Sequence, residues 1–122
     1  MQYAMLVYLN EKEFYALPKE EQNRVHRECT AWHEALVKAG KSIGCNGLQH
    51  SSTAKTFRFK NGKPNVVDGP HAETKEIIAG FEIFEFDSQE EAMRTMESFP
   101  GLKGGTALEL RPLVPGNKCE AI

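Results

Sequence analysis

The densest group of residues able to do chemistry runs from Asp68 to Glu76, in the order Asp-Gly-Pro-His-Ala-Glu-Thr-Lys-Glu. Its first three residues are a turn signal, because Asp can accept a backbone hydrogen bond, Gly tolerates positive φ and Pro fixes the exit. The carboxylates of the run directly precede an apolar segment, residues 77–86. Burial beside such a segment would raise the pKa of a carboxyl group. The run therefore predicts either a turn with solvated charges or one wall of a reactive cleft.

Asp68 is the first candidate for a general base, because the turn holds it in place, and Gly69 and Pro70 would shape the adjoining substrate surface. Glu73 and Glu76 are three residues apart and share a face if the segment curls into a helical turn. They either contact a substrate or brace the loop as solvated charges, and the sequence leaves both possibilities open.

Two histidines are candidate partners in proton transfer. His33 follows Trp32 and borders the apolar stripe of a predicted helix, so it is either a hydrogen-bonded residue at the core edge or an acid–base group facing a cleft. His71 either approaches Asp68 to form an acid–base pair or acts as a flat wall. His26 and His33 are seven residues apart, too far along a helix to bind one metal ion. No metal and no cofactor are predicted.

Tyr8, near the end of the first predicted strand, either offers its phenol to a bound carbonyl or lies in an interface. Arg111, near the end of the last predicted strand, either clamps a substrate carboxylate or forms a surface ion pair worth at most about 1 kcal/mol. Phosphate-binding, dinucleotide, nucleophile-elbow and H-E-x-x-H patterns are absent from the sequence. Their absence argues against nucleotide-binding and hydrolase classes.

The elements that must position these residues follow from hydrophobic periodicity. Gln2–Leu9 predicts an apolar strand, residues 10–17 a polar connection, and residues 18–39 an amphipathic helix ended by Gly40. The apolar stripe of that helix consists of Val25, Cys29, Trp32 and Leu36. The other predicted elements are strands at 42–48, 53–60, 63–67, 77–86 and 106–110, and a second helix at 88–99.

Local signals support the second half of this prediction. Asn61-Gly62 is a strong hairpin signal, and Ser88 with Glu91 forms a capping box that opens the second helix. The spacing places Met93 and Met96 on the inner side of that helix. Residues 1–113 are predicted to form one domain, and residues 114–122 a loose tail.

With the hairpin set aside, the order of elements is βαββαβ, which predicts an α+β, ferredoxin-like fold with both helices on one face of an antiparallel sheet. The first strand carries apolar residues at both parities, such as Tyr3 and Met5 on one side and Ala4 and Leu6 on the other. The second face of the sheet would be an apolar patch in a monomer. The pattern therefore predicts a homodimer.

Composition limits the partners and the compartment. A chain of 122 residues with a formal charge of −2 and scattered Lys and Arg gives no reason to expect a nucleic acid or a membrane surface. The N-terminal apolar run is too short for a spanning helix and lacks the architecture of a signal peptide. Three cysteines without a C-x-x-C pair fit a reducing cytoplasm.

The run from Asp68 to Glu76, read as Asp-Gly-Pro-x-Ala-Glu-Thr-Lys-Glu, resembles the signature of the DGPF proteins, a branch of the YCII-related family. The similarity covers nearly the whole chain to about Leu113. The further segments that look like family positions are residues 1–8, 31–36, 47–49, 52–56, 79–81 and 108–112. His71 stands where the signature usually has Phe, so an apolar pocket wall is lost or a titrating group is added.

The resemblance implies a ferredoxin-like subunit that pairs into a dimeric α/β barrel, with a cleft in each subunit lined partly by the signature loop. Most such proteins have no assigned activity, although relatives in the wider superfamily carry out acid–base chemistry on small organic molecules. The DGPF branch often accompanies alternative sigma factors.

Two functions therefore stay open. The first is a cofactor-free lyase- or isomerase-like enzyme, in which Asp68 moves a proton with His33 or His71 while Arg111 or Tyr8 orients a small organic substrate. The second is a non-catalytic regulatory module that binds a small ligand or a partner and is associated with an alternative sigma factor. The sequence does not decide whether the chain is an enzyme.

Overall fold

A computed structural model describes residues 1–116 and 118–119. The elements in chain order are β1 (Gln2–Leu9), α1 (Glu11–Ala16), α2 (Lys19–Lys38), β2 (Ser42–Gly47), β3 (Lys55–Lys60), β4 (Lys63–Asp68), β5 (Ile77–Glu85), α3 (Gln89–Glu97) and β6 (Ala107–Pro112). Short 3₁₀ turns lie at Ser51–Thr53 and Pro100–Gly104. Among the described residues, none of the helices is long and apolar enough to cross a membrane.

The main sheet has four strands in the order β2-β5-β1-β6, and every neighbouring pair is antiparallel. Strands β3 and β4 form a separate two-stranded sheet. With this hairpin and α1 set aside, the remaining order is βαββαβ. The predicted α+β class is confirmed, and the arrangement is compatible with a ferredoxin-like fold.

The hydrophobic core lies between the helices and one face of the main sheet. Alternation along the strands directs one set of side chains to that face. Its buried members are Tyr3, Met5, Phe84, Phe86, Ala92, Met96 and Phe99. Cys29, Trp32 and Leu36 of α2 pack against this cluster, which confirms most of the apolar stripe predicted for that helix. This face of the sheet is called the inner face below.

Two predictions about the helices are wrong. The predicted connection at residues 10–17 contains α1, whose first turn is capped because the Asn10 side chain accepts from the Glu13 N–H at 3.1 Å. A helix of six residues is too short to show clear periodicity. On α3, Met93 is 50% exposed, whereas Ala92 and Met96 are buried. Residues 92 and 96 are one turn apart and share the inner side, so Met93 lies away from the core.

The predicted hairpin turn, helix cap and helix stop are all confirmed. Asn61 and Gly62 both have positive φ, 54° and 77°, as the tight hairpin between β3 and β4 requires. Ser88 accepts from the Glu91 N–H at 3.1 Å and caps α3. Gly40 follows the end of α2 and has a positive φ of 73°, as predicted for a glycine that stops a helix. Strand β3 begins two residues later than predicted because residues 51–53 form a 3₁₀ turn.

The last strand extends two residues past its predicted end, to Pro112. The Leu113 N–H then donates to the Gln2 carbonyl at 2.9 Å, which ties the chain to the start of β1. Part of the predicted loose tail, residues 117 and 120–122, lies outside the described residues.

Candidate active site between helix α2 and the sheet

A pocket of about 340 Å³ lies between α2 and the inner face of the main sheet, next to its edge strand β2. Most of its lining is apolar or aromatic and includes Val7, Leu9, Phe14, Val25, Trp32 and Phe99. The lining also contains the ionisable residues His26, Cys29, His33, Cys45 and Glu82, and no Lys or Arg among the described residues. An apolar pocket with a few polar groups at one wall is typical of sites for small molecules.

The centre of the polar wall is a histidine–carboxylate pair. Nδ1 of His33 lies 2.5 Å from Oε2 of Glu82, and the Ser42 hydroxyl donates to the same oxygen at 2.6 Å. Glu82 is only 2% exposed. It faces inward because it has the same strand parity as buried Phe84. A carboxylate so deeply buried needs hydrogen-bond partners, and His33 and Ser42 supply them.

Cys45 completes this wall from β2, where it is the cross-strand partner of Glu82. Burial and the adjacent Glu82 carboxylate raise the pKa of the Cys45 thiol to about 11. The thiol is therefore protonated near neutral pH and can donate a weak hydrogen bond to the carboxylate.

Cys45 is expected to react slowly with iodoacetamide near pH 8, because its raised pKa leaves little thiolate. The rate should be about tenfold or more below that of a cysteine in a flexible peptide. Glu82→Gln removes the neighbouring negative charge, so the reaction should be faster in that variant. Mass spectrometry of the Cys45 peptide over time measures both rates, with Cys119 as the exposed internal reference. Equal rates in the wild type and Glu82→Gln would contradict an electrostatic effect of Glu82.

The structure places Asp68 and His71 away from this pocket. Asp68 ends β4, its side chain is 83% exposed, and its carboxylate pairs with Nζ of Lys55 at 2.5 Å. Nδ1 of His71 lies 2.9 Å from the guanidinium of Arg58. Neither residue lines the pocket that holds His33. The described chain therefore does not bring the three predicted catalytic residues together.

The turn residues of the signature hold the end of the hairpin. Gly69 has φ 104°, its N–H donates to the Ala54 carbonyl at 2.8 Å, and its own carbonyl accepts from Thr56 at 2.8 Å. Pro70 is half-buried and Glu73 is exposed. Their predicted contacts with a substrate stay predictions.

Tyr8 and Glu76 line a neighbouring cleft of about 750 Å³, which also includes Thr74 and Lys75. The Tyr8 hydroxyl donates to Glu109 at 3.2 Å, and desolvation together with this carboxylate raises the pKa of Tyr8. The cleft shares Leu9, Phe14 and Thr106 with the pocket of His33. Two predicted substrate-binding residues therefore lie beside this pocket.

Arg111 forms an ion pair with Glu109, its neighbour two positions back on β6, and its side chain is mostly exposed. The register of the sheet places it opposite Ala4. A surface ion pair is one of the two roles predicted for Arg111, and carboxylate binding stays a prediction.

Sequence analysis missed Ser42, Cys45 and Glu82. A usable signal existed for Glu82, since it is the acidic residue at inward parity within the apolar run 77–86. A carboxylate at such a position is costly unless it is paired, and this cost marks it as a candidate functional group. Ser42 and Cys45 carry no comparable signal, because their contacts depend on the pairing of β2 with β5.

The fold and this pocket define a small α+β protein with a histidine–glutamate pair in an apolar binding pocket. The profile of the YCII-related domain matches residues 1–115. An uncharacterized protein of Rhizobium meliloti (strain 1021) is 37% identical over 114 residues, which cover 93% of this chain and 92% of that relative. The chain therefore belongs to the YCII-related family, as the resemblance in the sequence predicts.

Proposed function

We propose that this protein is a cofactor-free enzyme of the lyase or isomerase type that moves a proton on a small organic substrate. The observation that carries the proposal is the contact between His33 and buried Glu82 at the wall of the pocket. A histidine oriented by a carboxylate is a common arrangement in general acid–base catalysis.

The roles of the two side chains follow from their contacts. Glu82 binds Nδ1 of His33 and thereby orients the ring, which leaves Nε2 as the nitrogen available to a substrate. Ser42 holds the carboxylate from the other side. The apolar lining would exclude water from a bound molecule and strengthen electrostatic interactions at the reacting atoms. The size of the pocket fits a small organic molecule rather than a polymer.

The test is solvent hydrogen exchange at carbon. A panel of small carbonyl and phenolic compounds is incubated in D₂O with the full chain, and deuterium incorporation is followed by NMR. We expect the wild type to accelerate exchange for at least one class of compound. His33→Gln should reduce the accelerated rate by about 100-fold, because it removes the proton-transfer group.

Asp68→Asn is the comparison that separates the two predicted bases. If His33 is the base, Asp68→Asn retains the exchange rate, because Asp68 lies on the exposed hairpin. Loss of exchange in Asp68→Asn, with His33→Gln unaffected, would overturn the assignment to His33 and support Asp68. No exchange with any compound would contradict the enzyme proposal.

We also propose that two chains pair through the outer face of the main sheet, opposite the helices, to form a dimeric α/β barrel. This face carries the half-buried or exposed apolar side chains Ala4, Leu6, Phe81 and Ile83. Apolar side chains in such an array usually mark an association surface, and a two-fold axis would cover one copy with the other.

A regulatory, non-catalytic module is the second candidate function. Phe57 and Phe59 are strongly exposed on β3, beside Val66 and Pro64 of β4, and an exposed apolar strip of this kind supports partner binding. An alternative sigma factor is the partner suggested by the DGPF resemblance, and the free cysteines suit the cytoplasm where it would act. Absence of exchange activity together with binding of a purified sigma factor would favour this candidate.

A further inference from the structure

We propose that His33, Cys45 and Glu82 form a binding site for a divalent transition-metal ion, and that zinc is the ion it suits best. The inference goes beyond the proposed acid–base function and does not depend on it, because metal binding is measurable without a substrate.

The geometry supports a shared ion. The imidazole nitrogen, the thiol sulfur and a carboxylate oxygen all lie within 4.8 Å of one another. Two donors bound to one tetrahedral zinc ion are separated by about 3.4 to 3.8 Å. The contact between His33 and Glu82, now 2.5 Å, would have to open by about 1 Å to admit the ion. His33 is part-exposed and can make this movement by a small rotation of its side chain.

The three ligands come from three different elements. His33 lies on α2, Cys45 on β2 and Glu82 in the middle of β5. The two strands are directly paired, and Cys45 faces Glu82 in the register. The Glu82 carboxylate is further held by the Ser42 hydroxyl at 2.6 Å. The two strand ligands are therefore held in place before the ion arrives, which favours affinity, and His33 is the ligand that moves.

The electrostatics also favour a cation. Glu82 is deeply buried, and the described residues that line its pocket include no Lys or Arg. A divalent ion would place a fixed positive charge beside this buried carboxylate. The combination of nitrogen, sulfur and oxygen donors suits zinc and disfavours magnesium and calcium, which prefer oxygen alone. With three protein ligands, the fourth position of a tetrahedral ion stays open to water or a ligand from the pocket.

The test uses the untagged full chain after treatment with a chelator, titrated with Co²⁺ as a spectroscopic substitute for zinc. We expect one equivalent to produce the visible absorption of a tetrahedral cobalt site and an ultraviolet thiolate-to-cobalt band. Zinc should then displace the cobalt and bleach both signals. A wild-type chain with no thiolate band would overturn the proposal.

Cys45→Ser should remove the ultraviolet band and lower zinc affinity by about 100-fold. Cys119→Ser is the matched control, because Cys119 is a free cysteine that does not line the pocket, and it should leave both unchanged. A band that survives in Cys45→Ser would place the metal elsewhere and contradict the site. Circular dichroism of each variant confirms that the loss is not one of folding.

The same titration separates this inference from the proposed function. His33 Nδ1 and Glu82 cannot bind one ion while they also contact each other, so zinc should suppress any exchange activity of the metal-free chain. Metal binding without exchange activity would support the site and contradict the enzyme. Exchange activity without metal binding would support the enzyme and overturn the site.

Discussion

Replacing His33 with alanine is expected to lower the free energy of unfolding by about 3 kcal/mol. The substitution leaves Glu82, only 2% exposed, without its nitrogen partner, and only the Ser42 hydroxyl would still bind the oxygen that His33 contacts. Removing one member of a buried ionisable pair costs more than the pair contributes, because the remaining group stays buried. Urea unfolding followed by circular dichroism measures the change.

The same pair offers an internal comparison. In the double variant His33→Ala with Glu82→Leu, the buried polar group is gone, and most of the lost stability should return. His26→Ala, an exposed position on the same helix, should change the free energy of unfolding by less than about 1 kcal/mol. If His33→Ala costs as much in the Glu82→Leu background as in the wild type, the two side chains are not coupled and the pair does not stabilise the protein.

Leu6→Glu is expected to raise the dissociation constant of the proposed dimer by about 1,000-fold, enough to leave monomers at micromolar concentration. Leu6 lies on the outer face of the sheet between Phe81 of β5 and Glu109 of β6. A two-fold axis introduces the new carboxylate twice, and each copy would be buried without a partner. Sedimentation equilibrium over a range of concentrations measures the shift.

Met93→Glu is the matched control for that experiment. Met93 is also an exposed apolar residue, but it lies on α3, on the opposite side of the sheet from the proposed interface. The variant should keep the wild-type dissociation constant. A wild-type chain that sediments as a monomer at micromolar concentration would contradict the dimer, and a Leu6→Glu chain that stays dimeric would place the interface elsewhere.

Much of the fold was predictable because the relevant signals are local. The alternation in Gln2–Leu9, the hairpin at Asn61-Gly62 and the Ser88 cap each depend on interactions over a few residues. Helix α1 was missed because six residues are too few to establish a period. Met93 was placed wrongly because its spacing alone fits two neighbouring sides of a short helix, and only packing against the sheet selects one.

The candidate site was less predictable, since it joins residues far apart in the chain. His33 and Glu82 are 49 positions apart, and Ser42 is 40 positions from Glu82. Strand pairing and helix packing bring them together, and no local pattern encodes that contact. Conversely, the charge-rich signature suggested a base at Asp68, but its hairpin forms a separate sheet that leaves the carboxylate exposed beside Lys55.

The sequence by itself determined the family, through the resemblance of its Asp68–Glu76 run to the family signature. It also determined the α+β class and most of the strands and helices, because periodicity, turn residues and capping act between near neighbours. It also identified His33 as a candidate acid–base residue. Only the tertiary structure showed that the partner of His33 is Glu82 rather than Asp68. The reason is physical: a buried carboxylate acquires its environment from side chains on other elements, and that environment exists only once the helix packs on the sheet.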